Sequence, residues 1–252
     1  MIIALRGKQG SGKSTAAAIL QNQIELVRRP VQTINFADPI KAAVSSWFPF
    51  SQQILYGPSE ERDKPLKWSE RDAWQTYEAA RASAPFRFER MQRALRREFR
   101  PDFLSKFWRW LDGQSTPAAR AGEIVPRRVL QTFGTEFGRE CLGESVWVDL
   151  ALAAHRDFTA KRPNGITLIG DCRFDNEVIT VAAQPGGYVV EIVSPPEPRA
   201  SELHEAAVQA TSAHASEQRG QAESDLVIVN DKSRGLTPLR NALALFLEGT
   251  IR

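Results

Sequence analysis

The segment Gly7-Lys8-Gln9-Gly10-Ser11-Gly12-Lys13-Ser14 constrains this chain more than any other, because it fits G-x-x-x-x-G-K-[ST]. Its glycines permit positive φ and close backbone approach, so successive N–H groups can ring a phosphate. The helix that follows turns its positive end toward the same anion. Lys13 supplies a full charge for the β- and γ-phosphates, and the Ser14 hydroxyl is a magnesium ligand. Gly7, Gly10, Ser11, Gly12, Lys13, Ser14 and Thr15 are therefore the expected ATP contacts, with Mg²⁺ on Ser14. The motif works only between a strand and a helix, and both are legible. Ile2 to Leu5 reads as a buried parallel strand. Thr15 to Val27 carries Ala17, Ile19, Leu20 and Ile24 at helical spacing, and Val31 to Phe36 reads as the next strand. That is a βαβ unit.

The middle of the chain changes character. From about 59 to 122 no β-branched run occurs, and Trp74, Tyr77, Phe86, Phe88, Phe99, Phe103, Phe107 and Trp110 recur among arginines. This reads as mostly helical, with breaks near Pro85 and Pro101 and a loop from Gly113 to Gly122. Helices are expected at Ile40 to Trp47, Arg127 to Cys141, Val146 to His155 and Asn176 to Ala183. Strands are expected at Gly165 to Asp171, Tyr188 to Val193 and Leu226 to Val229. Pro195 to Gln221 is polar and expected to be partly mobile, and a final helix starts at Thr237-Pro238. With 252 residues, the expectation is one domain, 1–252, with a helical insertion or cap at about 59–122. Its fold class is an α/β/α three-layer sandwich around a parallel sheet, of the P-loop type.

Cys141 and Cys172 have no framework spacing, and the three histidines make no metal-ligand pattern. No apolar run reaches the ~18 residues of a membrane span. The apolar start breaks at Arg6, too soon for a signal peptide. A cytoplasmic protein without a membrane partner is expected. The net charge is +3, and its arginine-rich stretch suits polyanions, nucleotides as readily as nucleic acid.

Ile166 to Ile169 followed by Gly170-Asp171 puts a carboxylate at the carboxyl end of a strand, where ligands of α/β sheets bind. Asp171 is expected to hold a magnesium-bound water or a substrate group; the alternative is a cap on the next helix. Arg173 is a phosphate ligand, or else a surface ion pair with Asp175 or Glu177.

A wider series of residues carries a resemblance. Phe36-Ala37-Asp38-Pro39-Ile40-Lys41 is followed by Leu130-Gln131-Thr132-Phe133-Gly134-Thr135-Glu136-Phe137-Gly138-Arg139. Then come Trp147, Asp171-Cys172-Arg173-Phe174-Asp175-Asn176-Glu177, His214-Ala215-Ser216-Glu217 and Asn230-Asp231. With the P-loop, this ordered set resembles the deoxynucleoside monophosphate kinases of bacterial viruses. The resemblance implies transfer of the ATP γ-phosphoryl group to a deoxynucleoside 5′-monophosphate. It implies catalytic roles for Lys13, Asp171 and Arg173. It also implies that Asp38, Lys41, Arg62, Arg127, Gly134, Thr135, Trp147, Asp171, Arg173 and Glu177 surround the acceptor. Trp147 is read either as a base-stacking residue or as an ordinary core tryptophan. Members of that family often carry Asp after the P-loop lysine and a basic residue where the Tyr188 to Val193 strand exits. Ser14 and Ser194 stand here instead, leaving Arg199 and Arg219 as candidates for a lid arginine.

Two other readings stay open. One is a P-loop kinase of another small phosphate ester such as phosphomevalonate. The other is a non-kinase P-loop module that tracks a nucleic-acid strand through the arginine- and aromatic-rich middle; an amphipathic helix pair needs the same spacing. A regulatory GTPase is not expected, since no N-K-x-D stands near the last strand. Nucleotides are the expected partners, nucleic acid is not, and a homodimer is open.

Overall fold

The computed structural model describes residues 1–8, 10–115, 122–195 and 222–251. Its strands are β1 (Ile2–Arg6), β2 (Val31–Ile34), β3 (Leu66–Lys67), β4 (Glu123–Ile124), β5 (Ile166–Cys172), β6 (Gly187–Val193) and β7 (Leu226–Val229). The α-helices are α1 (Lys13–Leu26), α2 (Asp38–Trp47), α3 (Gln52–Tyr56), α4 (Glu70–Leu95), α5 (Phe103–Ser115), α6 (Pro126–Thr132), α7 (Val146–Lys161), α8 (Asp175–Ala182) and α9 (Thr237–Thr250). Short 3₁₀ turns add Ser59–Arg62 and Lys232–Arg234, and a π-helix runs over Phe133–Leu142. The chain divides into two compact units, Met1–Asn35 with Ala154–Arg252, and Phe36–Ala153.

The first unit is built on a five-stranded sheet in the order β2-β5-β1-β6-β7. Every pairing in it is parallel. β1 is central and completely covered: Ile2, Ile3, Ala4 and Leu5 have no solvent-exposed area. Burying each such large aliphatic side chain stabilises by about 1.5–3 kcal/mol, which is why a five-residue apolar run suffices to fix the strand. Ile3, Leu5, Ile166, Leu168, Val190 and Ile192 face one side, where they meet Ile19, Leu20 and Ile24 of α1 and Leu239, Leu243 and Leu247 of α9. The opposite face carries the buried Val178 and Val181 of α8, and Thr167 bonds His155 of α7. This is the expected sandwich of helices about a parallel sheet. β1 leads to β2 on one side, while β6 leads to β7 on the other. The carboxyl ends of β1 and β6 thus flank a topological switch point, the usual ligand crevice of such sheets.

The second unit has an aromatic core. Trp47, Phe48, Phe50, Trp68, Phe88, Phe99, Phe107, Trp110, Phe133, Phe137 and Trp147 are all buried in it. The expected helical segment at about 59–122 falls inside this unit, which extends beyond it at both ends. α4 begins at a capping box, in which Ser69 Oγ accepts from the Asp72 N–H at 3.2 Å and Asp72 Oδ2 accepts from the Ser69 N–H at 2.9 Å. It then continues through Pro85, where a break was expected. Proline removes one helical N–H, but Pro85 and Arg81 are both exposed, so water can satisfy the freed carbonyl. Ala80, Ala84, Phe88 and Met91 hold the same helix to the core. The break at Pro101 does occur, between α4 and α5. The two-residue pair β3–β4 had no legible signal in its sequence. Residues 116–121 of the expected loop, and 196–221 of the expected polar segment with His204, His214, Arg199 and Arg219, lie outside the described residues.

Candidate active site

In the first unit the phosphate loop leaves β1 and opens α1. Gly7, Gly10 and Gly12 have φ of 146°, 78° and 98°. A Cβ at Gly7 would run into the Ile192 carbonyl, and one at Gly12 into the Asn230 side chain, so both positions demand glycine on two counts. Lys13 Nζ donates to the carbonyl oxygens of Gly7 and Lys8 at 2.5 and 2.7 Å, which holds the ammonium at the loop. The buried Ser11 hydroxyl finds no partner among the described residues. No acidic residue lies in the first turn of α1, where a carboxylate would repel an anion. Ser14 and Thr15 are exposed there. Positive-φ glycines, an orphan hydroxyl, a cation and an uncapped helix start together fit a polyphosphate.

Asn230 belongs to this loop as well. Its Nδ2 donates to the Ser11 carbonyl at 2.9 Å, and the side chain is buried. The sequence flagged Asn230 without giving it a task; only the parallel placement of β7 reveals it as a brace for the loop.

The expected acid sits at the end of β5. Ala4 pairs with Ile169 and Arg6 with Cys172, so β5 carries an extra residue at Gly170-Asp171. Such a bulge re-aims the side chain it contains. A Cβ at Gly170 would meet Asn35 Oδ1. Asp171 and Arg173 are both half-buried. Glu177 is 2% exposed, and its Oε2 accepts from the N–H groups of Arg173 and Phe174 at 2.7 and 3.0 Å. It therefore caps α8 and fixes the backbone at Arg173. Arg6, also buried, pairs with Asp175 at 3.3 Å, so Asp175 is not left to pair with Arg173 alone. Burial, then the charges of Glu177 and Asp171, push the Cys172 thiol well above its usual range, so it stays protonated. Cys141 and Cys172 are free.

In the second unit the expected acceptor residues form three groups. Arg62 Nη1 donates to the carbonyls of Leu55 and Gly57 at 3.1 and 3.2 Å, and its Nη2 to Ser59 Oγ at 3.3 Å. Arg127 grips Asp63 with Nε and Nη2, the latter at 2.9 Å, and reaches Ser59 Oγ at 2.8 Å. Arg62 and Arg127 thus converge on Ser59. The Arg127 guanidinium holds the Asp63 carboxyl below its ordinary range.

Asp38 and Lys41 occupy the first turn of α2, with Lys41 Nζ 5.0 Å from the centre of the Tyr56 ring. Burial first, then the Asp38 charge, raises the Tyr56 phenol, which remains a neutral donor.

Gly134 and Thr135 lie in the π-helix, a rare geometry that concentrates at functional sites. Gly134 packs against Ile40 so closely that a Cβ would crowd its Cδ1. Trp147 requires a correction. Its ring is 2% exposed, lies against Gly138, and donates through Nε1 to the Gly134 carbonyl at 2.7 Å. No face is left for stacking on a base; this is the core tryptophan of the two readings, and its effect is to brace the π-helix.

Among the described residues no group of three or more His, Cys, Asp or Glu side chains can hold a metal. No helix among them is long and apolar enough to cross a membrane. A protein of Acanthamoeba polyphaga mimivirus, provisionally named a deoxynucleotide monophosphate kinase, is 24% identical over 242 residues, covering 92% of this chain and 90% of its own. A family model described as deoxynucleotide monophosphate kinase matches residues 1–237. Since that match takes in the phosphate loop, the bulged acid, the π-helix and Asn230, the chain belongs to the deoxynucleotide monophosphate kinase family.

Proposed function

We propose that this kinase moves the γ-phosphoryl group of ATP to the 5′-phosphate of a deoxynucleoside monophosphate, giving the diphosphate and ADP. The observation that carries the reading is the family match along 1–237 together with a phosphate loop whose glycine angles suit a polyphosphate. An acceptor phosphate oxygen attacks the γ-phosphorus in line as the bond to the β–γ bridging oxygen breaks. The acceptor is already anionic, so no protein base is needed, and catalysis rests on positioning and charge. Lys13 neutralises charge on the transferring group, and Arg173 offers a planar fork to a phosphate. Ser14, with Asp171 acting through a water, would hold a magnesium ion, which offsets the negative charge of the phosphates. Arg62 and Arg127 are pre-positioned by Ser59 and Asp63, and turn toward acceptor phosphate by exchanging those partners. The setting is a cytoplasm, and a viral source agrees with the mimivirus relative. Preference for deoxyribose over ribose follows the family.

Of the aromatic residues in the middle segment, Phe88, Phe99, Phe107 and Trp110 are buried, while Trp74, Tyr77 and Phe86 are exposed, so single-stranded DNA belongs in the test as the rival ligand. The test is kcat/KM, with ATP as donor, for all four deoxynucleoside monophosphates, their ribonucleotides and phosphomevalonate. Efficient transfer to at least one deoxynucleotide is expected. Equal rates for both sugars would remove the deoxy preference. Transfer to phosphomevalonate alone, or single-stranded DNA binding without transfer, would overturn the reading.

A further inference from the structure

Arg87 lies on α4, one turn beyond Ser83. Ser83 Oγ accepts from Trp47 Nε1 at 3.2 Å, which ties α4 to α2. Its guanidinium is half-buried. Nε is shielded from solvent and has no hydrogen-bond partner among the described residues. Arg87 also takes no part in the ion pairs among them. It lies within electrostatic reach of Tyr56, as does Asp38. Burial, then neighbouring Arg90, works against the charge on Arg87. Lys41 covers the Tyr56 ring. Lys41 and Arg87 are thus two cations acting on one neutral phenol, with Asp38 the acid that also acts on it. Leaving a guanidinium N–H shielded from water without a hydrogen-bond acceptor is unfavourable. Arg62 and Arg127 differ, since Ser59, Asp63 and loop carbonyls already engage them.

We propose that Arg87, with Lys41 and the Tyr56 hydroxyl, binds the 5′-phosphate dianion of the acceptor. This rests on the kinase reading above and adds Arg87 and Tyr56 to it. The planar fork of arginine matches two phosphate oxygens, and the phenol donates to a third. No donor phosphate is involved, because the phosphate loop supplies its own cation and N–H groups.

The test measures equilibrium binding of a deoxynucleoside monophosphate and of its parent nucleoside, without ATP, to the wild type and to Arg87→Gln, Arg87→Lys and Tyr56→Phe. KM for acceptor and for ATP is followed in parallel. In the wild type the monophosphate is expected to bind more tightly than the nucleoside. Arg87→Gln is expected to remove most of that difference and to raise acceptor KM on the order of 10- to 100-fold. KM for ATP and the urea midpoint should hold. Arg87→Lys keeps the charge without the fork and recovers part of the loss, and Tyr56→Phe falls between. A wild type that does not distinguish monophosphate from nucleoside overturns the proposal, as does an Arg87→Gln protein with unchanged acceptor affinity. So does a parallel loss for ATP and acceptor that lysine does not repair. A wild type that binds the monophosphate through Arg87 yet transfers nothing supports this phosphate site while refuting the kinase reading.

Discussion

Replacing Trp147 by phenylalanine separates the two readings of that residue cleanly. The indole N–H donates to the Gly134 carbonyl at 2.7 Å inside the core. Phenylalanine deletes that hydrogen bond, which costs about 0.5–1.5 kcal/mol. The smaller ring also leaves a void beside Gly138 and Phe133, and unrelaxed cavities of this size cost about 1 kcal/mol more. The sum, about 1.5–2.5 kcal/mol, is a measurable part of the ~5–15 kcal/mol that holds a typical domain together. Urea unfolding of both proteins, followed by a signal other than tryptophan fluorescence, measures it directly. Acceptor and ATP KM are determined well below the midpoint. A bracing role predicts a lower midpoint at unchanged slope. A base-stacking role predicts the reverse, a raised acceptor KM with stability within about 0.5 kcal/mol of wild type. That second pattern would refute the structural assignment.

Asn230→Ala removes the brace on the Ser11 carbonyl, and KM for ATP should rise about ten-fold, the worth of one hydrogen bond, with acceptor KM little changed; equal KM values would show the brace to be idle. Asp171→Asn should lower kcat on the order of 10²-fold without moving the melting temperature; an unchanged rate with a lower melting temperature would make the acid structural. His155 gives a pH dependence. Burial, then the N-terminal ammonium and Arg156, hold its pKa below 6.5, so the unfolded chain takes up the proton first. Stability is then full above about pH 6.5 and falls as pH drops from there toward the folded pKa. The urea midpoint should decline between pH 7.5 and 5.5 in about that window, and the decline should be smaller in His155→Gln; identical slopes would remove His155 as its source.

The parallel sheet was legible because its strands are short apolar runs bounded by turn residues, and because the phosphate loop demands a strand before it and a helix after it. Pro85 misled because the packing of Ala80, Ala84, Phe88 and Met91 holds α4 together against the lost N–H and the clash of the ring, and such packing is a tertiary property. The β-bulge at Gly170-Asp171 depends on register against β1, which no local pattern records. Periodicity marked Arg127 to Cys141 as helical but does not distinguish α from π winding; that choice follows from Gly134, Gly138 and Trp147 meeting in the core. The site divides similarly. Lys13 and the glycines declared themselves by motif. Asn230 as a loop brace, Arg127 locked to Asp63, and Arg87 with an unpartnered Nε emerge only from contacts between elements far apart in sequence.

The most direct test of phosphoryl transfer is chromatographic identification of the products formed by the wild type and by Lys13→Ala from ATP and each deoxynucleoside monophosphate. The wild type should form ADP and deoxynucleoside diphosphate in equal amounts. Lys13→Ala should form neither at a comparable rate, since removing one such transition-state contact costs roughly 3–4 kcal/mol, while its melting curve stays that of the wild type. ADP without any deoxynucleoside diphosphate, or near-normal transfer by Lys13→Ala, would contradict the mechanism.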